Sequence, residues 1–147
     1  MGLDTSALFY QILAANSDLV ALTGGRIYSI AIPMPEEDID NKLVPWVIIN
    51  FDGLNNDETT KDDPFESSTD NVQISIEVSA KTPDDLMHIA QLVRDIIHDE
   101  MVNVDTFNGI YDYRFSVGSM NYDDLVECFY TRLNYSCDVS NMKQSES

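Results

Sequence analysis

The chain predicts an α+β fold: a single antiparallel β-sheet of four to five strands with two main helices on one face. Three observations carry that expectation. Residues 72–80 alternate apolar and polar without a break, the period of a strand with one face on a core and one in water. Thr82-Pro83-Asp84-Asp85 follows directly, and it reads as an N-cap, a proline at the first helical position and two acids at the positive end of a helix. Leu86, Ile89, Ala90, Val93, Ile97 and Met101 then recur at helical spacing, so one stripe of this helix faces a core.

The remaining elements follow the same logic. Leu8, Ile12 and Ala15, flanked by Phe9 and Leu13 and preceded by the candidate cap Asp4, make the apolar side of a first helix ending near Asn16. A short helix over residues 17–23 carries Leu19, Val20 and Leu22 and stops at Gly24-Gly25. Residues 26–30 read as a short strand. Val44-Pro45 sets an extended entry into the apolar run 46–51, a well-buried strand. Residues 52–70 hold seven acids and one lysine, with only Leu54 and Phe65 as sizeable apolar side chains; they read as a long acidic loop joining two antiparallel neighbours. After a turn at Asn108-Gly109, Tyr111, Tyr113, Phe115 and Val117 alternate with polar residues, and residues 118–124 turn the chain back. A last strand over residues 125–139 turns Phe129, Leu133, Tyr135, Cys137 and Val139 inward, with Thr131 as the polar exception. Residues 1–140 are expected to form one domain and 141–147 a disordered polar tail.

Composition narrows the function classes. Eight basic residues face 26 acidic ones, a formal charge of -18, whereas the 44% hydrophobic content is that of an ordinary globular domain. Such a surface repels phosphate backbones and anionic lipid, so sequence-specific nucleic-acid binding is not expected. No apolar run approaches the ~20 residues of a membrane helix, and no membrane association is expected. Cys128 and Cys137 sit at odd separation on one predicted strand, hence on opposite faces and about 30 Å apart by strand rise, and free thiols follow.

No residue pattern points to catalysis, a cofactor or a metal. His88 and His98 share a helix at angles about 80° apart and lack any zinc-ligand spacing. Cys128 has no neighbouring histidine or paired cysteine motif. Gly24-Gly25-Arg26 is too short for a phosphate loop and follows a helix; Arg26 reads as a structural arginine, with carboxylate binding as the other possibility. Asp57, Glu58, Asp62 and Asp63 lack the glycine and spacing of a calcium loop and read as a solvated charge run.

Several positions taken together resemble one family. The short helix ending in Leu22-Thr23-Gly24-Gly25-Arg26-Ile27-Tyr28, the segment Val44-Pro45-Trp46-Val47-Ile48-Ile49, a long polar stretch, then the strand 72–78 with Ala80-Lys81-Thr82 and its helix, look like the tail completion proteins of long-tailed bacteriophages, the tail-to-head joining or tail terminator group. The acidic insert over residues 36–42 and the strong negative charge depart from a typical member. The resemblance implies a structural virion protein, not an enzyme. It would form a homo-oligomeric ring, commonly a hexamer, on the head-proximal end of the tail, touching the tail tube protein and the head–tail connector protein. Before assembly it would reside in the host cytoplasm. It also implies that the loop between the second and third strands orders on assembly, which makes Asp52, Asp57, Glu58, Asp62, Asp63, Phe65, Glu66 and Asp70, with Arg26, the candidate subunit-interface or lumen residues. Acids on the lumen would keep passing DNA off the wall. The other class the charge allows is an acidic DNA mimic that occupies a DNA-binding enzyme.

Overall fold

The computed structural model describes residues 5–29, 33–37, 44–57, 69–101, 110–125 and 127–140. Helices α1 (Thr5–Ala14) and α2 (Ser17–Thr23) lead into strand β1 (Ile27–Tyr28). Strands β2 (Trp46–Asp57) and β3 (Thr69–Ala80), helix α3 (Pro83–Met101), and strands β4 (Ile110–Val117), β5 (Asn121–Asp123) and β6 (Cys128–Ser140) complete the order. The caps are those the residue types dictate. Asn16 accepts from the Leu19 N–H at 3.0 Å to start α2, and Gly24 ends it in the left-handed region at φ 63°. Thr82 accepts from the Asp85 N–H at 3.1 Å at the head of α3, with Pro83 in the first turn.

The sheet has six strands in the order β1-β2-β3-β6-β4, with β5 also paired to β6. Expectation and structure agree on the α+β class and differ in two details of the sheet. It is mixed, because β1 lies parallel to β2, and it has one strand more than the upper expectation. The parallel pair arises because α2 ends at Gly24-Gly25 right beside the start of β2. There the Val47 N–H donates to the Arg26 carbonyl at 3.0 Å. The extra strand is β5, in the stretch expected only to turn. The last strand starts at Cys128 instead of Leu125, since Glu127 adopts φ 52°, a left-handed conformation outside the extended backbone of a regular strand.

Both helical layers pack on one face, as expected. Phe9, Leu13 and Leu19 join Leu86, Ile89, Val93 and Ile97 over Val47, Ile49, Val72, Ile74, Ile76, Val78, Leu133 and Tyr135 in one core. Phe9 meets the Tyr135 ring edge-on at 5.4 Å, Phe115 lies 5.0 Å from the same ring, and the Arg94 guanidinium sits 5.2 Å over Phe115. The inward Thr131 is 3% exposed; its hydroxyl donates to the Gly118 carbonyl at 3.0 Å, so its burial leaves the donor satisfied.

The opposite face was expected to be open. One end of it is closed by a second, smaller cluster of Tyr28, Trp46 and Cys128, with Met34, Val44 and Ile48 against it. Ser75 and Ser79, expected outward and wet, are both buried, and Ser79 lies directly opposite Trp46 of that cluster. Cys128 and Cys137 are free and buried, on opposite faces.

Ile76 is fully buried at the centre of β3, between Ile49 of β2 and Leu133 of β6. Ile76→Ala removes its contacts to both neighbours and the helices, and it is expected to lower unfolding stability by about 2–5 kcal/mol in urea titrations followed by circular dichroism.

Candidate functional site

Of the candidate interface residues, Glu58, Asp62, Asp63, Phe65 and Glu66 lie outside the described residues. Asp52, Asp57 and Asp70 do not sit in a loop. β2 runs on to Asp57 and β3 begins at Thr69, with Asn56 opposite Asp70 and Asp57 opposite Thr69. This corrects the expected loop over residues 52–70 at both of its ends. The ladder wins over the weak strand propensity of Asn, Asp and Gly because Thr69 and Asp70 of β3 pair with both β2 and β6, and residues 53–57 of β2 pair with that anchored strand. Asp52 is exposed at a register shift between Phe51 and Gly53, the position where one extra residue bends the strand.

Arg26 belongs to the frame. Its Nε donates to the Pro45 carbonyl at 3.0 Å and its Nη2 to the Val44 carbonyl at 3.1 Å, holding the entry to β2 against the end of α2. A Cβ on Gly24 would approach the Arg26 Nη1 to 3.0 Å, so the left-handed glycine also gives the guanidinium room. Arg26→Ala leaves two carbonyls without their charged donor, and a loss of about 1–3 kcal/mol in stability is expected from denaturant titration. Arg26→Lys recovers only part of it, because one ammonium cannot reproduce the forked geometry.

The feature sequence reasoning missed is the ordered polar lattice on the sheet face away from the helices. Asn71 Nδ2 donates to the Ser136 hydroxyl at 3.0 Å and to Asp138 Oδ1 at 2.9 Å. Gln73 Nε2 donates to Asn71 Oδ1 and, at 3.1 Å, to Ser136 Oγ. Arg114 reaches Ser136 at 3.4 Å and Asp138 at 3.9 Å, and Arg132 pairs with Glu77 at 3.4 Å. The alternation of polar residues on β3 and β6 was legible; which residues meet was not, because cross-strand register emerges only when the strands pair. Side-chain hydrogen bonds of this kind rigidify a sheet face while it stays polar.

Beside the lattice, Trp46, Glu77, Ser79, Asp123, Cys128, Tyr130 and Arg132 surround a cleft of about 190 Å³. The Cys128 thiol has its pKa raised, first by burial; the Ser79 hydroxyl opposes this, and the Asp123 and Glu77 carboxylates add to it. A thiol held in its protonated form is a poor nucleophile. The folded value lies above the unfolded one, so the stability this thiol contributes is full below its unfolded pKa. It is lost as pH rises past 9.0 and through the folded value. Cys128→Ala is therefore expected to flatten the decline in stability at alkaline pH, read from urea midpoints across the alkaline range. Among the described residues no group of three His, Cys, Asp or Glu side chains converges as a metal site, and no helix is long and apolar enough to cross a membrane.

Comparison with known proteins places the fold. No protein-family model matches the chain, and no curated protein matches it. Among solved structures, a chain from the virion of a native gene transfer agent particle is similar with a TM-score of 0.55 and 17% sequence identity, over 92% of this chain and 94% of that one. The likeness covers nearly the whole of both chains, so it is a likeness of the overall fold.

Proposed function

We propose that this chain is a structural virion protein of a tailed bacteriophage or related particle, a tail-completion subunit without enzymatic activity. The observation that carries the reading is the near full-length fold likeness to a gene transfer agent virion chain. The motif order from Leu22 to Tyr28, then residues 44–49, then β3 and α3, supports the same family independently of that likeness. In this reading several copies, six in the usual member, form a ring at the head-proximal end of the tail. The ring ends the tail tube and presents a surface to the head–tail connector.

The β2–β3 hairpin is the segment that meets other surfaces in this reading. Asp52, Asp57 and Asp70 lie on its paired strands. Glu58, Asp62, Asp63 and Glu66 line the passage, where carboxylates repel the phosphates of transiting DNA, and Phe65 contacts a neighbouring subunit. Arg26 takes no part beyond holding the frame.

Electron microscopy of the concentrated protein, alone and with tail tubes, is expected to show closed rings that cap tube ends. A protein that stays a monomer, leaves tube ends bare and is missing from the virion would sink the reading. The lumen assignment has its own test. Asp62→Lys combined with Asp63→Lys should turn the ring into a salt-sensitive DNA binder in gel-shift assays, since each added cation opposite a phosphate steepens the salt dependence by about one counterion. Unchanged DNA retention would place these residues away from the passage.

A further inference from the structure

The two outer edges of the sheet are both open among the described residues, and they differ in kind. β4 and β5 lie end to end along β6 and form the first edge. The Gly118 N–H donates to the Arg132 carbonyl at 2.8 Å. By antiparallel alternation the backbones of Ser116 and Arg114 then face β6, and those of Tyr113, Phe115 and Val117 face outward. Val117, Met120, Tyr122 and Leu125 lie along this edge, four of the six large apolar side chains recorded as exposed among the described residues, and Leu125 is 86% exposed. On the same edge strand the Arg114 side chain stands 61% exposed on the face away from the helices, near Ser136 and Asp138. On the far side of the sheet β1 covers only Val47 and Ile48, so residues 51–57 of β2 have no described strand on their outer side. That second edge carries the exposed Asp52 and ends at Asp57.

Chains that remain single blunt such edges with proline, lysine or very short strands, and the eight residues of β4, Ile-Tyr-Asp-Tyr-Arg-Phe-Ser-Val, contain neither proline nor lysine. We propose that the β4–β5 edge of one copy adds to the outer edge of β2 in the next, so that one hydrogen-bonded sheet passes from subunit to subunit. The inference rests on the ring reading and supplies its interface.

Two features make a second copy of this chain the occupant. The open edges are on opposite sides of one sheet, so their pairing is head-to-tail, the kind of contact that closes into a ring when the rotation permits. Charge supplies the other. At a formal -18, contact between arbitrary faces of two copies is repulsive, whereas this pairing sets Arg114 against the strand that bears Asp52 and Asp57. It also covers Val117, Met120 and Tyr122, which water otherwise meets.

Hydrogen exchange on the full chain, compared between dilute solution and the concentration at which rings form, tests the pairing. The outward amides of Tyr113, Phe115 and Val117 and those of residues 51–57 that point away from β3 should slow together by on the order of tenfold or more, while those of α3 stay unchanged. Val117→Pro removes an outward N–H at an exposed position and leaves the ladder to β6 intact, so it should abolish rings in a folded protein. Arg114→Glu should weaken assembly, and Asp52→Arg added to it should restore assembly. Rings formed by folded Val117→Pro, or outward amides at Tyr113, Phe115 and Val117 that stay fast within rings, overturn the edge pairing and leave the ring reading standing. A wild-type chain that is monomeric at every concentration overturns both. Should Val117→Pro fail to fold, the charge exchange decides, since no rescue by Asp52→Arg overturns the pairing.

Discussion

The double pairing of β3 is the constraint on which the rest depends. This strand is matched residue for residue with β6 over its whole length, and with β2 from Trp46 opposite Ser79 to Asp57 opposite Thr69. Because side chains alternate at a period of two, a slip of one residue on either side would turn Val72, Ile74, Ile76 and Val78 out of the core. In the observed register all four are at most 1% exposed. The short link Lys81-Thr82 then obliges α3 to fold back on that apolar face, where Leu86, Val93 and Ile97 complete the core. The long acidic extensions of β2 and β3 are thus held by the same ladder that secures the core, with no packing of their own required to place them.

Sequence alone carried the parts of this fold that are local. Period-two alternation located β3, β4 and β6, helical spacing with Thr82 and Pro83 located α3, and Gly24-Gly25 marked the end of α2. What escaped was whatever depends on a partner distant in the chain. A short strand was expected at residues 26–30 and β1 lies within it, but its parallel pairing with the start of β2 was not legible. β5 has three residues and little pattern, and it forms by pairing with Cys128, Phe129 and Tyr130. The strand extensions at residues 52–57 and 69–70 are made of residues with weak strand propensity that the ladder overrides. The candidate site divided in the same way. Its acids were visible as composition, while the lattice of Asn71, Gln73, Ser136 and Asp138 required the register.

The distribution of polarity over the sheet suits a subunit that must wait before it assembles. The helix-covered face is sealed, and the far face is polar and cross-linked by its own side chains except where Tyr28, Trp46 and Cys128 close one end. Strong negative charge discourages contact between copies in any arrangement that brings acids together. In the proposed edge pairing, specificity comes from repulsion as much as attraction: an acidic surface disfavours most docking modes, and the apolar margin at Val117, Met120 and Tyr122 is where contact costs least.

Trp46 is the single tryptophan of the chain, 4% exposed, and its indole N–H finds no acceptor among the described residues. It belongs to the small cluster on the far face and not to the helix-covered core. The molecule therefore carries one built-in optical reporter, and that reporter looks at a single corner, where the start of β2 meets the start of β6. Indole emission follows the polarity around that corner, whereas far-ultraviolet ellipticity follows the helices on the other side of the sheet. The two signals watch opposite faces of one layer, and a difference between them distinguishes a local opening of the far face from loss of the whole fold.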